Sequence, residues 1–120
     1  SEKISKTSDF ENSDAARTAL YDLDLKHVTS DLNAAFVYAK SIAAGNGEVS
    51  VIGFCWGGSQ SFRYATHNSD LEEAFVFYGT ASTDMEDLAK IEIPVYGFYG
   101  GNDARVNSTI PKTEEQMNTL

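Results

Sequence analysis

Val49-Ser50-Val51-Ile52-Gly53-Phe54-Cys55-Trp56-Gly57-Gly58 is the stretch whose reading decides the fold of this chain. Residues 49–54 are almost continuously apolar and follow Gly45-Asn46-Gly47, residues that tolerate positive φ. They read as a buried strand. Such strands belong to parallel sheets with helices over both faces. From Trp56 onward, residues 56–66 suit a helix. The chain's single cysteine stands at the joint between the two.

Upstream, Leu25, Val28, Leu32, Ala35, Phe36, Ala39 and Ile42 recur at spacings of three and four, which puts them on one helical face ending near Gly45. Before that, Asn12-Ser13-Asp14 can cap a short helix through Ala15, Ala16, Ala19 and Leu20. Residues 1–12 are polar and read as an exposed lead-in. Downstream, Ala74 to Tyr78 form a second strand and Met85 to Ala89 a short helix. Ile93 to Tyr99 form a third strand, with Pro94 tolerable near its start. Pro111 suits the first turn of a last helix containing Met117 and Leu120. Strand–helix alternation with short connections gives an α/β class with a parallel sheet core and flanking helices, three layers in all. Nothing marks a boundary within residues 1–120. Three strands are few for such a sheet, so the chain is expected to be one partial domain.

Composition narrows the function. With 18 Asp and Glu against 9 Lys and Arg, the net charge is −9, which argues against a nucleic-acid surface built from clustered Lys and Arg. No apolar run approaches the roughly 20 residues of a membrane span. One cysteine rules out an internal disulfide and a CxxC pair, and no cluster suggests a metal or another cofactor. A free thiol suits the cytoplasm; the chain does not begin with Met, so a periplasmic or secreted location stays open. Exposed sheet edges would invite self-association.

The chemistry concentrates at Gly53-Phe54-Cys55-Trp56-Gly57-Gly58. A nucleophile on a sharp strand–turn–helix projects its side chain above the sheet, and the glycines two before and two after it are expected to keep the turn free of Cβ clashes. The helix N-terminus favours a thiolate and a developing oxyanion, for which the Trp56 N–H is one donor. A lone cysteine in an apolar strand is more often core packing. A second element argues for chemistry. Tyr99-Gly100-Gly101-Asn102-Asp103 sets a carboxylate just past the third strand, at the edge where parallel sheets carry their sites. Taken alone Asp103 would be a turn former. Paired with the elbow it reads as the acid that orients an imidazole, in the order nucleophile, acid, histidine.

These motifs resemble the dienelactone hydrolase family of the α/β-hydrolases. Gly-Phe-Cys-Trp-Gly-Gly is similar to that family's Gly-x-Cys-x-Gly-Gly elbow, and Ile93-Pro94-Val95 with Tyr99-Gly100-Gly101-Asn102-Asp103 resembles its strand and acid loop. Phe77-Tyr78-Gly79 looks like its Tyr-Gly turn. The likeness covers roughly residues 24–118. It implies an incomplete α/β-hydrolase fold that hydrolyses small esters or lactones through an acyl-cysteine, with no cofactor. Cys55 then matches the nucleophile, Asp103 the acid, and Trp56 the backbone oxyanion donor. Tyr78 lies where the family's turn lines the pocket. Arg105 is read as a solvated loop residue that could touch an anionic substrate.

The family's histidine follows the acid, and no histidine follows Asp103. His67 lies 12 residues after Cys55, about 18 Å along a helix. His27 precedes the elbow strand. Neither is a credible base, so the expectation is a chain lacking its early strands and its catalytic histidine, and inactive by itself. The alternative from another class is a non-catalytic α/β binding module with a structural or redox-sensitive cysteine.

Overall fold

The computed structural model describes residues 6–82 and 84–120. The polar lead-in falls partly on residues 1–5, outside the described ones. The chain divides after Asn33 into two compact units. In the first, a 3-10 turn at Thr7–Asp9 precedes α1, Ser13–Tyr21. Asn12 caps α1 as its type predicts, its Oδ1 accepting from the Ala15 N–H at 2.8 Å. Helix α2, Leu25–Lys40, runs across the division. It stops earlier than the sequence pattern suggests. The Ser41 hydroxyl donates to the Tyr38 carbonyl at 2.7 Å, and the left-handed residue expected in the Gly-Asn-Gly stop is Gly47, at φ 85°.

The second unit is built on three parallel strands, β1 (Val51–Phe54), β2 (Ala74–Phe77) and β3 (Val95–Phe98), lying side by side in chain order. Strand β1 is two residues, and β3 three residues, shorter than the apolar runs that announce them. Pro94 explains one end: its carbonyl accepts from the Ala74 N–H at 3.0 Å, but its ring nitrogen has no proton to give the ladder. Helices α3 (Trp56–Ala65), α4 (Met85–Leu88), α5 (Ala104–Asn107) and α6 (Ile110–Met117) complete the unit. The parallel sheet with flanking helices expected from the sequence is what forms. Pro111 sits in the first turn of α6, where its missing N–H costs nothing.

Register sorts the strand residues onto two faces. Gly53, Val76 and Gly97 align across the sheet on the face under α3. The core lies there: Phe62 of α3, Val76 and Leu88 are buried, with Ala81, Ile91, Val95 and Met117 packed around them. The opposite face carries Phe54, Phe77 and Phe98 in one row, with ring centroids 4.8 and 4.5 Å apart, and Phe75 beside Tyr96 at 5.4 Å. Cross-strand aromatic pairs of this kind stabilise a sheet by about 0.2–1 kcal/mol each. Here Ile52, Phe54, Tyr96 and Phe98 stay exposed. Among the described residues no helix is long and apolar enough to cross a membrane.

Candidate active site

Strand β1 ends at Phe54, and the chain turns at Cys55 with φ 54° and ψ −118° before entering α3. For a residue with a Cβ this backbone costs on the order of 1–3 kcal/mol, a strain that persists only where the surroundings impose it. The surroundings are explicit. The Cys55 N–H donates to the Phe77 carbonyl at 3.0 Å, extending the sheet ladder by one residue. The Cys55 carbonyl accepts from the Ser59 N–H at 3.1 Å, the first bond of α3. Cys55 therefore ends a strand and starts a helix in one residue, and its thiol is exposed. The amides of Trp56, Gly57 and Gly58 precede that first helical bond and have no acceptor within α3.

Gly53 is required by contact. A Cβ there would lie 2.0 Å from the Gly57 carbonyl oxygen. Gly58 is required too, because its Cβ would meet the Phe77 carbonyl oxygen at 2.6 Å. The expectation for the glycine two after the nucleophile is corrected: a Cβ on Gly57 would meet nothing within 4 Å. The helix start leaves its α-hydrogens facing open space, and the crowding falls on the next residue.

The second strand end repeats the pattern. Tyr78 follows Phe77 with φ 42°, its N–H donating to the Phe98 carbonyl at 2.8 Å. Its ring is partly exposed and stands 6.2 Å from that of Phe54. Because Phe54 pairs with Phe77, Cys55 and Tyr78 occupy adjoining strand ends. Sequence reading found Tyr78 only through resemblance; its left-handed backbone has no sequence signal, since Gly79 beside it would have been the natural choice. Tyr99 closes the third strand end. Burial, with a smaller push from Glu114, holds its phenol above the ordinary range.

Asp103 lies past β3 at the same carboxyl edge, with β2 between it and the elbow strand. Two strand spacings separate β1 from β3, about 10 Å. The structure thus puts Cys55, Trp56 and Tyr78 at adjoining strand ends and Asp103 past the next strand along the same edge. Asp103 Oδ1 accepts from the Val106 N–H at 3.0 Å and caps α5, a short helix the sequence pattern did not announce. Arg105 is exposed on that helix. Asp103→Ala should cost about 1 kcal/mol through loss of the cap, whereas Asp103→Asn, an equally good cap, should stay within a few tenths of the parent. Urea midpoints of the two variants check this and separate the capping role of the side chain from its charge.

His67 does not join the group. His67 Nδ1 is engaged by the Thr66 hydroxyl at 2.8 Å and the Arg63 carbonyl at 2.9 Å, at the far end of α3 from Cys55. His27, in the first unit, lies 3.9 Å from Asp24. Among the described residues no group of three or more His, Cys, Asp or Glu could hold a metal ion.

Comparison with known proteins gives the family and supports the fold. The model of the Dienelactone hydrolase family matches residues 3–119. A "Putative carboxymethylenebutenolidase" of Methylorubrum extorquens is 34% identical over 99 residues, covering 73% of this chain and 34% of that protein. A Salmonella typhimurium protein of the same description is 32% identical over 112 residues, covering 82% of this chain and 42% of that protein. The crystal structure of a "Putative Dienelactone Hydrolase" from Klebsiella pneumoniae superposes with a TM-score of 0.80 at 22% identity, covering 93% of this chain and 51% of that one. The chain thus spans about a third to two fifths of the curated relatives and half of the solved structure.

Proposed function

Because the chain belongs to the dienelactone hydrolase family, we propose that it carries the nucleophile half of an ester or lactone hydrolase, with Cys55 as the attacking residue. The observation that carries this reading is the backbone of Cys55. An exposed thiol at φ 54°, on a strand tip and at the head of a helix, is the strained backbone of a nucleophile elbow.

The thiolate of Cys55 adds to the carbonyl carbon. The oxyanion formed is stabilised by the Trp56 N–H at the start of α3. Collapse expels the alkoxide, which takes up a proton, and leaves a thioester on Cys55. Water then hydrolyses the thioester and restores the thiol. Tyr78, at the adjoining strand end, lines the acyl pocket. Asp103, whose second carboxylate oxygen is not used by the α5 cap, orients an imidazole standing between it and Cys55. In this reading that histidine lies outside the 120 residues, and without it the chain acylates but turns over slowly.

The test is incubation of the folded chain with p-nitrophenyl acetate, followed by mass spectrometry of its peptides. An acetyl group on the peptide containing Cys55, formed faster than in denaturant, is the expected result. Acetylation confined to lysines, with Cys55 labelled only after unfolding, sinks the reading and favours a structural thiol.

A further inference from the structure

We propose that Ser59 and Thr80 are positioning residues for the acyl-transfer site, their side chains stapling the turn after β2 to the first turn of α3; this rests on the reading of Cys55 as nucleophile. The Thr80 N–H donates to Ser59 Oγ at 2.8 Å, and the two hydroxyls lie 3.2 Å apart. Both residues are half-buried. A serine inside a helix commonly returns its hydroxyl to the carbonyl four residues back, as Ser61 does to Gly57 at 3.0 Å. Ser59 instead spends its side chain on a segment 21 residues away.

The bond joins the two strained strand ends. Ser59 holds Cys55 through its own N–H to the Cys55 carbonyl and holds Thr80 through its hydroxyl. Thr80 is two residues past Tyr78, which keeps its left-handed φ of 42°. Between them Gly79 presses on α3 so closely that a Cβ would fall 2.3 Å from the Ser59 nitrogen. Backbone contact alone sets how near the turn can come. It does not stop the turn lifting away, and a strained residue persists only where its neighbours over-determine it. The staple supplies that second constraint. Through it the ring of Tyr78 and the amide of Trp56 keep a fixed spacing around the reacting carbonyl, where displacements of about 1 Å cost up to a hundredfold in rate.

The experiment follows acetylation of Cys55 by p-nitrophenyl acetate in the full 120-residue chain, below the unfolding midpoint of every variant. Ser59→Ala removes both bonds of the staple and should slow acylation about tenfold, whereas Thr80→Val removes only the hydroxyl–hydroxyl contact, leaves the N–H of residue 80 on Ser59 Oγ, and should slow it about threefold. Thr80→Ser keeps the hydroxyl and should restore a rate within about twofold of the parent. Thr66→Val removes a buried hydroxyl at the other end of α3, bonded to the Arg63 carbonyl at 2.8 Å, and should lower the unfolding midpoint without slowing acylation. Parent-like rates in both Ser59→Ala and Thr80→Val overturn the proposal. So does a Thr80→Ser chain as slow as Thr80→Val, because the lost methyl and not the hydroxyl would then matter. A parent chain that gives no Cys55 adduct overturns the nucleophile reading and the staple together.

Discussion

Gly53→Ala destabilises the fold by about 3 kcal/mol, a large share of the stability that a domain of this size possesses. The added methyl would lie 2.0 Å from the Gly57 carbonyl oxygen, 2.3 Å from its carbon and 2.6 Å from Ser61 Oγ. Two of those three atoms are backbone, so no rotamer change relieves the clash. Either α3 is pushed off the sheet or β1 shifts against β2. Both routes disturb the ladder bond from Cys55 to Phe77. Gly57→Ala is the matched control. It introduces the same methyl into open space at the start of a helix, and should be neutral or stabilise by up to about 1 kcal/mol. Urea unfolding of the two variants settles the point; equal destabilisation would mean that the crowding is not where the structure puts it.

Cys55→Ala abolishes the acetyl adduct, and Cys55→Ser forms it about a thousandfold more slowly or worse. A thiol is nucleophilic without help, whereas a serine hydroxyl depends on a base, and His67, its Nδ1 held at the far end of α3, is not placed to supply one. Stability should move the other way in a third variant. Cys55→Gly relieves the cost of φ 54° and should gain on the order of 1 kcal/mol while losing all acylation. Parallel stopped-flow acylation and urea titration of the three chains check this. A Cys55→Gly chain less stable than the parent would show that the elbow conformation is not strained, and would remove the main support for Cys55 as a catalytic residue.

The sequence revealed the parts of the fold that depend on periodicity and punctuation. Helix α2 shows as apolar residues at helical spacing, α1 as an Asn cap, and β1 to β3 as apolar runs between turn residues. The elbow was legible because one cysteine sits between a strand pattern and paired glycines. Tertiary contact decided the rest. That Gly58 and Gly79 are the crowded glycines, and Gly57 a free one, depends on how closely the turn after β2 approaches α3. Helix α5 escaped notice because its cap, Asp103, reads as a catalytic acid and the Gly-Gly-Asn before it as a turn. The Ser59–Thr80 bond spans 21 residues, beyond any local pattern. The near-continuous apolar strand suggested cover on both faces, yet the row of Phe54, Phe77 and Phe98 is left partly open.

Trp56 is the chain's single tryptophan, half-buried and bonded directly to the residue that would carry the acyl group. Excited at the red edge, where tyrosine does not absorb, these 120 residues emit from that one indole. Its spectrum is therefore a local optical gauge. Loading and unloading of Cys55 can be followed by intrinsic emission in real time, with no dye and no chromogenic leaving group, and esters too plain to give colour become usable in screening.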